Sequence, residues 1–176
     1  MVLRTVRPWA VNASARRRAT FPWPPTITTV LMRRTVPSGN ARIPRGVARG
    51  MATKTLTIEN HNETVADGTV LIDFWADWCG PCKQFAPVFE QSSEQHPGIT
   101  YAKVDTEDQQ QLAAMYGITS IPTLVVYRDG IPVFGQPGAL PGQALESLIE
   151  QVEALDMDKV REQWAEQQKE QQAAQA

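Results

Sequence analysis

Residues 70–82 read Val-Leu-Ile-Asp-Phe-Trp-Ala-Asp-Trp-Cys-Gly-Pro-Cys, and two signals meet in them. Val70 to Trp75 is a nearly continuous run of apolar, β-branched and aromatic side chains, the pattern of a central strand covered on both faces. The single acid inside that run, Asp73, is therefore conspicuous. After it comes Cys79-Gly80-Pro81-Cys82, which opens a segment with Phe85, Ala86, Val88 and Phe89 at helical spacing. His96-Pro97-Gly98 then stops the pattern, so the spacing predicts a helix from Gly80 to about Gln95.

A helix N-terminus exposes unpaired N–H groups and the positive end of the helix dipole, and both stabilise a thiolate. Cys79 at that end is expected to have a lowered pKa and to be nucleophilic. Cys82, one turn further in, lies on the same side and can reach it. Such a pair opens and closes a disulfide with little backbone motion. Two other readings stand beside this one. Structural zinc needs about four ligands, and the only further His or Cys residues are His61 and His96, without paired spacing. A purely structural disulfide over so short a loop would restrain the unfolded chain very little. Placed between a strand and a helix in an α/β pattern, C-x-x-C is a redox signal.

Outward from this centre the text stays regular. Lys54 to Ile58 alternates as a short strand with Leu56 and Ile58 on one face, and Asn60–Asp67 suits a short helix closed by Gly68. Ile99–Val104 reads as a second core strand, Asp108–Tyr116 as a helix stopped by Gly117, and Thr123–Tyr127 as a third core strand. Asp129-Gly130 is a tight turn into Ile131–Phe134, a hairpin. Leu145, Leu148, Ile149, Val152 and Leu155 form one apolar helix face. The order β-α-β-α-β-α-β-β-α implies an α/β fold, a central mixed sheet with helices on both faces.

The 176-residue chain divides sharply by charge: residues 1–50 hold ten arginines, six prolines, no lysine and no acid, whereas residues 51–176 carry a net −12. A packed core in the first fifty residues is not expected. The segment reads as an over-extended start of the reading frame or as an Arg-rich transit peptide; a basic arm for nucleic acid is the third alternative. The change from Arg to Lys usage after Met51, and a methionine just where the patterned text begins, favour the first. The domain is expected over 51–157, followed by a polar helical tail over 158–176 that frays from Gln167. No apolar stretch approaches the length of a membrane span, and two cysteines exclude a disulfide-rich scaffold.

Phe74-Trp-Ala-Asp-Trp-Cys-Gly-Pro-Cys82, Ile121-Pro122-Thr123 and Gly138-Ala-Leu140 resemble the three signature segments of the thioredoxin family, in order and at matching spacing, over about Thr53 to Leu155. The resemblance implies the thioredoxin fold and a protein-disulfide reductase active in cell redox homeostasis and electron transport. No bound cofactor and no metal are implied. Electrons would come from a thioredoxin reductase, and the partners would be that reductase and client proteins with disulfides. Nucleic acid and membrane are not among them. A cytoplasmic monomer is expected, or a mitochondrial matrix protein if residues 1–50 are a transit peptide.

By position, Cys79 corresponds to the attacking cysteine, Cys82 to the resolving one, Asp73 to the buried acid beneath them and Lys103 to its charged neighbour. Gly80 and Pro81 tune the redox poise toward reduction; a disulfide-forming or isomerising relative would carry His there. Trp78, Ile121, Pro122 (the family's cis-proline), Gly138 and Ala139 correspond to the client-binding surface, with Trp75 shielding the site. A different class of reading is a thioredoxin-fold scaffold whose dithiol is secondary. The chain departs from the pattern at His61 and Asn62, where an aromatic residue often anchors the first helix. It also departs at Pro137 before Gly138, and in the tail after Asp156.

Overall fold

The apolar run that dominates the sequence is the middle of the sheet. In a computed structural model, which describes residues 53–174, strands β1 (Thr53–Thr55), β2 (Thr69–Trp75), β3 (Thr100–Asp105), β4 (Thr123–Arg128) and β5 (Ile131–Pro137) lie in the order β1-β3-β2-β4-β5. The expectations for residues 1–50 and for a start at Met51 lie outside the described residues. β1, β3 and β2 run parallel, and β4 and β5 pair antiparallel. The sheet is therefore mixed, as the element order implies.

Helices α1 (His61–Val65), α2 (Gly80–Gln95), α3 (Gln110–Met115), α4 (Gly142–Glu153) and α5 (Met157–Ala174) cover it. Because alternate residues of a strand face opposite ways, β2 feeds two cores. Leu71 packs with Phe85 and Phe89 of α2 and with Leu145, Ile149 and Val152 of α4. Val70, Ile72 and Phe74 pack on the other side with Val65, Leu112 and Tyr116. Each large apolar side chain buried in this way contributes roughly 1.5–3 kcal/mol.

Where elements differ from the sequence reading, a local polar contact explains it. β1 stops at Thr55 because Asn60 folds the chain back. Its Oδ1 accepts from Thr57 N–H at 2.9 Å, and its Nδ2 donates to Thr55 O at 3.1 Å. Leu56 still donates to Lys103 O and is fully buried, but Ile58 has left the strand. Gly68, at φ +70°, lies beyond the end of α1 and turns the chain into β2 rather than capping the helix. α3 starts later than expected, since Asp105 Oδ1 accepts from Glu107 N–H and holds a turn there. β5 runs three residues past Phe134, with Gly135, Gln136 and Pro137 paired to Val125, Leu124 and Thr123. Asp129 and Gly130 both take positive φ, 49° and 79°, as the two-residue hairpin requires.

The final helix is continuous to Ala174. Val160 is buried in the Leu71 core, with Leu155, Met157 and Trp164 packed against it. Arg161 reaches Asp129 Oδ2 at 3.1 Å and ties the helix to the hairpin turn.

Candidate active site

β2 delivers the chain to the sheet's C-terminal edge, where Cys79 N–H donates to Ala76 O at 3.1 Å and closes a turn. Cys79 is the N-cap of α2, with extended backbone (φ −82°, ψ 107°), and Pro81 occupies the first turn, where its missing N–H costs nothing. The Cys82 amide donates to Cys79 Sγ at 3.2 Å. One of the helix's orphan donors is thus aimed at the sulfur, which is the stabilisation a thiolate there needs. Cys79 and Cys82 are joined in a disulfide, S–S 2.04 Å. Both are buried, while Gly80, Pro81 and Trp78 are exposed. At 71% exposure, Trp78 is an apolar surface beside the sulfurs with no fold to support.

Ile121 packs against the cluster of Ala76, Cys79 and Cys82, as does Trp75. The Ile121–Pro122 peptide is cis, and Pro122 O accepts from Gly138 N–H at 2.7 Å. That bond joins the loop before β4 to the end of β5. Gly138 sits at φ +104°, a conformation that a side chain would strain. Gly138 and Ala139 are exposed, and the Pro122 bond ties Gly138 to the segment whose Ile121 packs against the cysteines.

Asp73 lies on β2 on the face of Leu71, fully buried, and among the described residues neither carboxylate oxygen finds a hydrogen-bond partner. Burial pushes its pKa up to about 7, against the opposing pull of the Lys103 charge. Lys103 is its register partner on β3. The lysine ammonium lies 5.0 Å from the Trp75 ring centroid and 3.8 Å from Glu90 Oε1 on α2.

The sequence reading missed this contact, because an acid at an exposed helical position carries no signal of what it faces. It also missed a second polar centre on the opposite face of the sheet. There His61 bonds the Tyr116 hydroxyl through Nε2, and Tyr116 donates to Tyr127 at 3.0 Å. Among the described residues no group of three or more His, Cys, Asp or Glu could hold a metal ion, and no helix is long and apolar enough to cross a membrane.

A paired C-x-x-C capping the helix that follows the central strand of a mixed α/β sheet has one chemistry, the exchange of two electrons between dithiol and disulfide. The molecule is a thiol–disulfide oxidoreductase. Known proteins agree. The family model described as thioredoxin matches residues 52–151. A protein named putative thioredoxin 2 from Streptomyces coelicolor is 56% identical over 118 residues, covering 66% of this chain and 88% of the relative. Thioredoxin of Bacillus subtilis is 41% identical over 100 residues, 56% of this chain and 96% of the relative. Among solved structures, a mutant thioredoxin from Halobacterium salinarum is similar with a TM-score of 0.54 and 36% identity, covering 60% of this chain and 95% of that one. The chain belongs to the thioredoxin family.

Proposed function

We propose that the chain works as a protein-disulfide reductase in which Cys79 attacks and Cys82 resolves. In the dithiol form the Cys79 thiolate attacks one sulfur of a client disulfide, forms the mixed disulfide and expels the other client sulfur as thiolate. Cys82, deprotonated, then attacks Cys79 Sγ, closes the ring and releases the second client thiolate. Two electrons pass from the pair to the client, and each client thiolate takes up a proton. Asp73 is the base that receives the Cys82 proton, and Lys103 tunes it. Gly80 and Pro81 set the poise, while Trp78, Ile121, Pro122, Gly138 and Ala139 receive the client's extended backbone.

The observation that carries the polarity is the Cys82 amide on Cys79 Sγ, which favours negative charge on the first sulfur and not on the second. Consistent with the family, the dithiol needs no bound cofactor, and its electrons come from a thioredoxin reductase. The protein acts as a cytoplasmic monomer within cellular electron transport. The domain spans 51–157, and the extension after it, helical to Ala174, packs Val160 on the domain's core.

Turnover of an insulin-type disulfide by the full chain tests the reading against a scaffold role. The Cys79→Ser/Cys82→Ser double variant should fold and lose all reductase activity, together with its ability to restore growth to cells that lack their own disulfide reductant. A scaffold would keep the second property.

A further inference from the structure

Asp73 and Lys103 are register partners on parallel strands, yet they are not bonded to each other. Trp75 stands two residues beyond Asp73, hence on the same face of β2. Lys103, the register partner of Asp73, has its ammonium 5.0 Å from the Trp75 ring centroid and 3.8 Å from Glu90 Oε1. The Lys103 side chain is 18% exposed and that of Glu90 59%. Glu90 therefore holds the water end of a lysine whose other neighbour is a sealed carboxylate.

We propose that Glu90 is a positioning residue: it anchors the Lys103 ammonium at the Trp75 ring, offsets the lysine's pull on Asp73, and so leaves the carboxylate basic enough to take the Cys82 proton. The link to exchange rests on the reading of Asp73 as the proton relay. A pair this exposed adds little to stability, so its consequence is electrostatic. Among the described residues, β3 supplies Lys103 and Tyr101 on this face, α2 supplies Glu90 and Cys82 with Cys79 as its cap, and the register partner on β4 is the uncharged Leu124. Burial pushes the Tyr101 pKa up to about 12, so it stays neutral. In the disulfide form the cysteines do not titrate, which leaves Lys103 and Glu90 as the controls. With Glu90 neutral, Lys103 keeps only the ring face, and its attraction to the carboxylate is unopposed.

Carbon-13 NMR of the Asp73 carboxyl, followed against pH in the oxidised full chain, tests this. Glu90→Gln should lower the titration midpoint by about half a pH unit, Glu90→Asp should restore most of it, and Lys103→Gln should raise it. In the Lys103→Gln background, Glu90→Gln should move the midpoint less than half as far, because its effect travels through the lysine. An unmoved midpoint in Glu90→Gln overturns the proposal. So does an equal shift with and without Lys103, which would mean a direct field from Glu90. The exchange rate of Asp73→Asn reports separately on the relay: a wild-type rate there removes the relay, while the Glu90 titrations still decide the positioning.

Discussion

Strand β2 separates two buried polar centres that are built in opposite ways. On the α2 side, Asp73 is sealed from water, and among the described residues neither oxygen is hydrogen-bonded. On the α1 side, His61, Tyr116 and Tyr127 pass hydrogen bonds from one to the next, with Asn62 closing the chain at His61 Nδ1 at 3.0 Å. Burial lowers the pKa of His61 and raises that of Tyr127 to about 12, so this centre stays neutral across the physiological range. Satisfied polar groups in a core fix one arrangement. An unsatisfied acid costs stability wherever it is ionised, and the cost is borne on the face that carries α2 and its cysteines. The difference separates a structural network from a chemical group.

The largest effect that sharpens this contrast is on stability at Asp73. Its pKa is about 7 when folded and about 3.9 when unfolded. Between those values the unfolded chain loses a proton that the native state keeps, so the wild type loses stability as pH rises through that window. Asp73→Asn does not titrate. It should therefore be more stable than wild type by about 2–4 kcal/mol at pH 8 and nearly equal to it below pH 4, as urea melts at the two pH values would measure. The same variant should slow the resolving step tenfold or more. A stability difference independent of pH would break the contrast.

Next in size is Tyr116→Phe. It strips His61 and Tyr127 of a shared partner, at a cost of about 1–3 kcal/mol, and should leave the exchange rate at pH 7 unchanged. Slowed exchange in this variant would mean that the two centres are coupled through Phe74, whose ring lies 5.0 Å from that of Tyr116. Smallest is the pH slope of the second centre. His61 has a lowered folded pKa, so below about pH 6.5 the unfolded state takes up a proton that the native state refuses, and stability falls as pH falls. His61→Phe should remove that acid-side loss while keeping the loss that Asp73 imposes as pH rises. Melts from pH 5 to 7 that kept the wild-type slope would show that His61 is protonated in the fold.

The same contrast governs what the sequence disclosed. Asp73 was legible as a buried acid because it interrupts six residues that otherwise demand two covered faces. The helix of Cys79 and Cys82 was legible from its apolar spacing and its stop at His96-Pro97-Gly98. The Asp129-Gly130 turn could be read because two positive φ angles in succession suit few residues. Less was visible where side chains make the structure. The end of β1 depends on Asn60 reaching back to Thr55 and Thr57. The extension of β5 depends on polar Gln136 pairing with Leu124. The course of α5 beyond Gln167 has no apolar stripe to announce it. Within the site, the family resemblance pointed to Lys103 as a neighbour of Asp73, but nothing in the sequence pointed to the Glu90 contact. His61 registered as an unpaired candidate ligand and a missing aromatic residue, since a histidine becomes part of a network through partners 55 and 66 positions away.

The asymmetry of the two sulfurs is the claim on which the account turns, and trapping measures it directly. Each single variant, Cys79→Ser and Cys82→Ser, is mixed with a client bearing an accessible disulfide, and the mixed disulfide is resolved on a non-reducing gel. The predicted result is a stable adduct through Cys79 in Cys82→Ser and none in Cys79→Ser. Equal adducts in both variants, or an adduct only in Cys79→Ser, would contradict the assignment of Cys79 as the attacking sulfur.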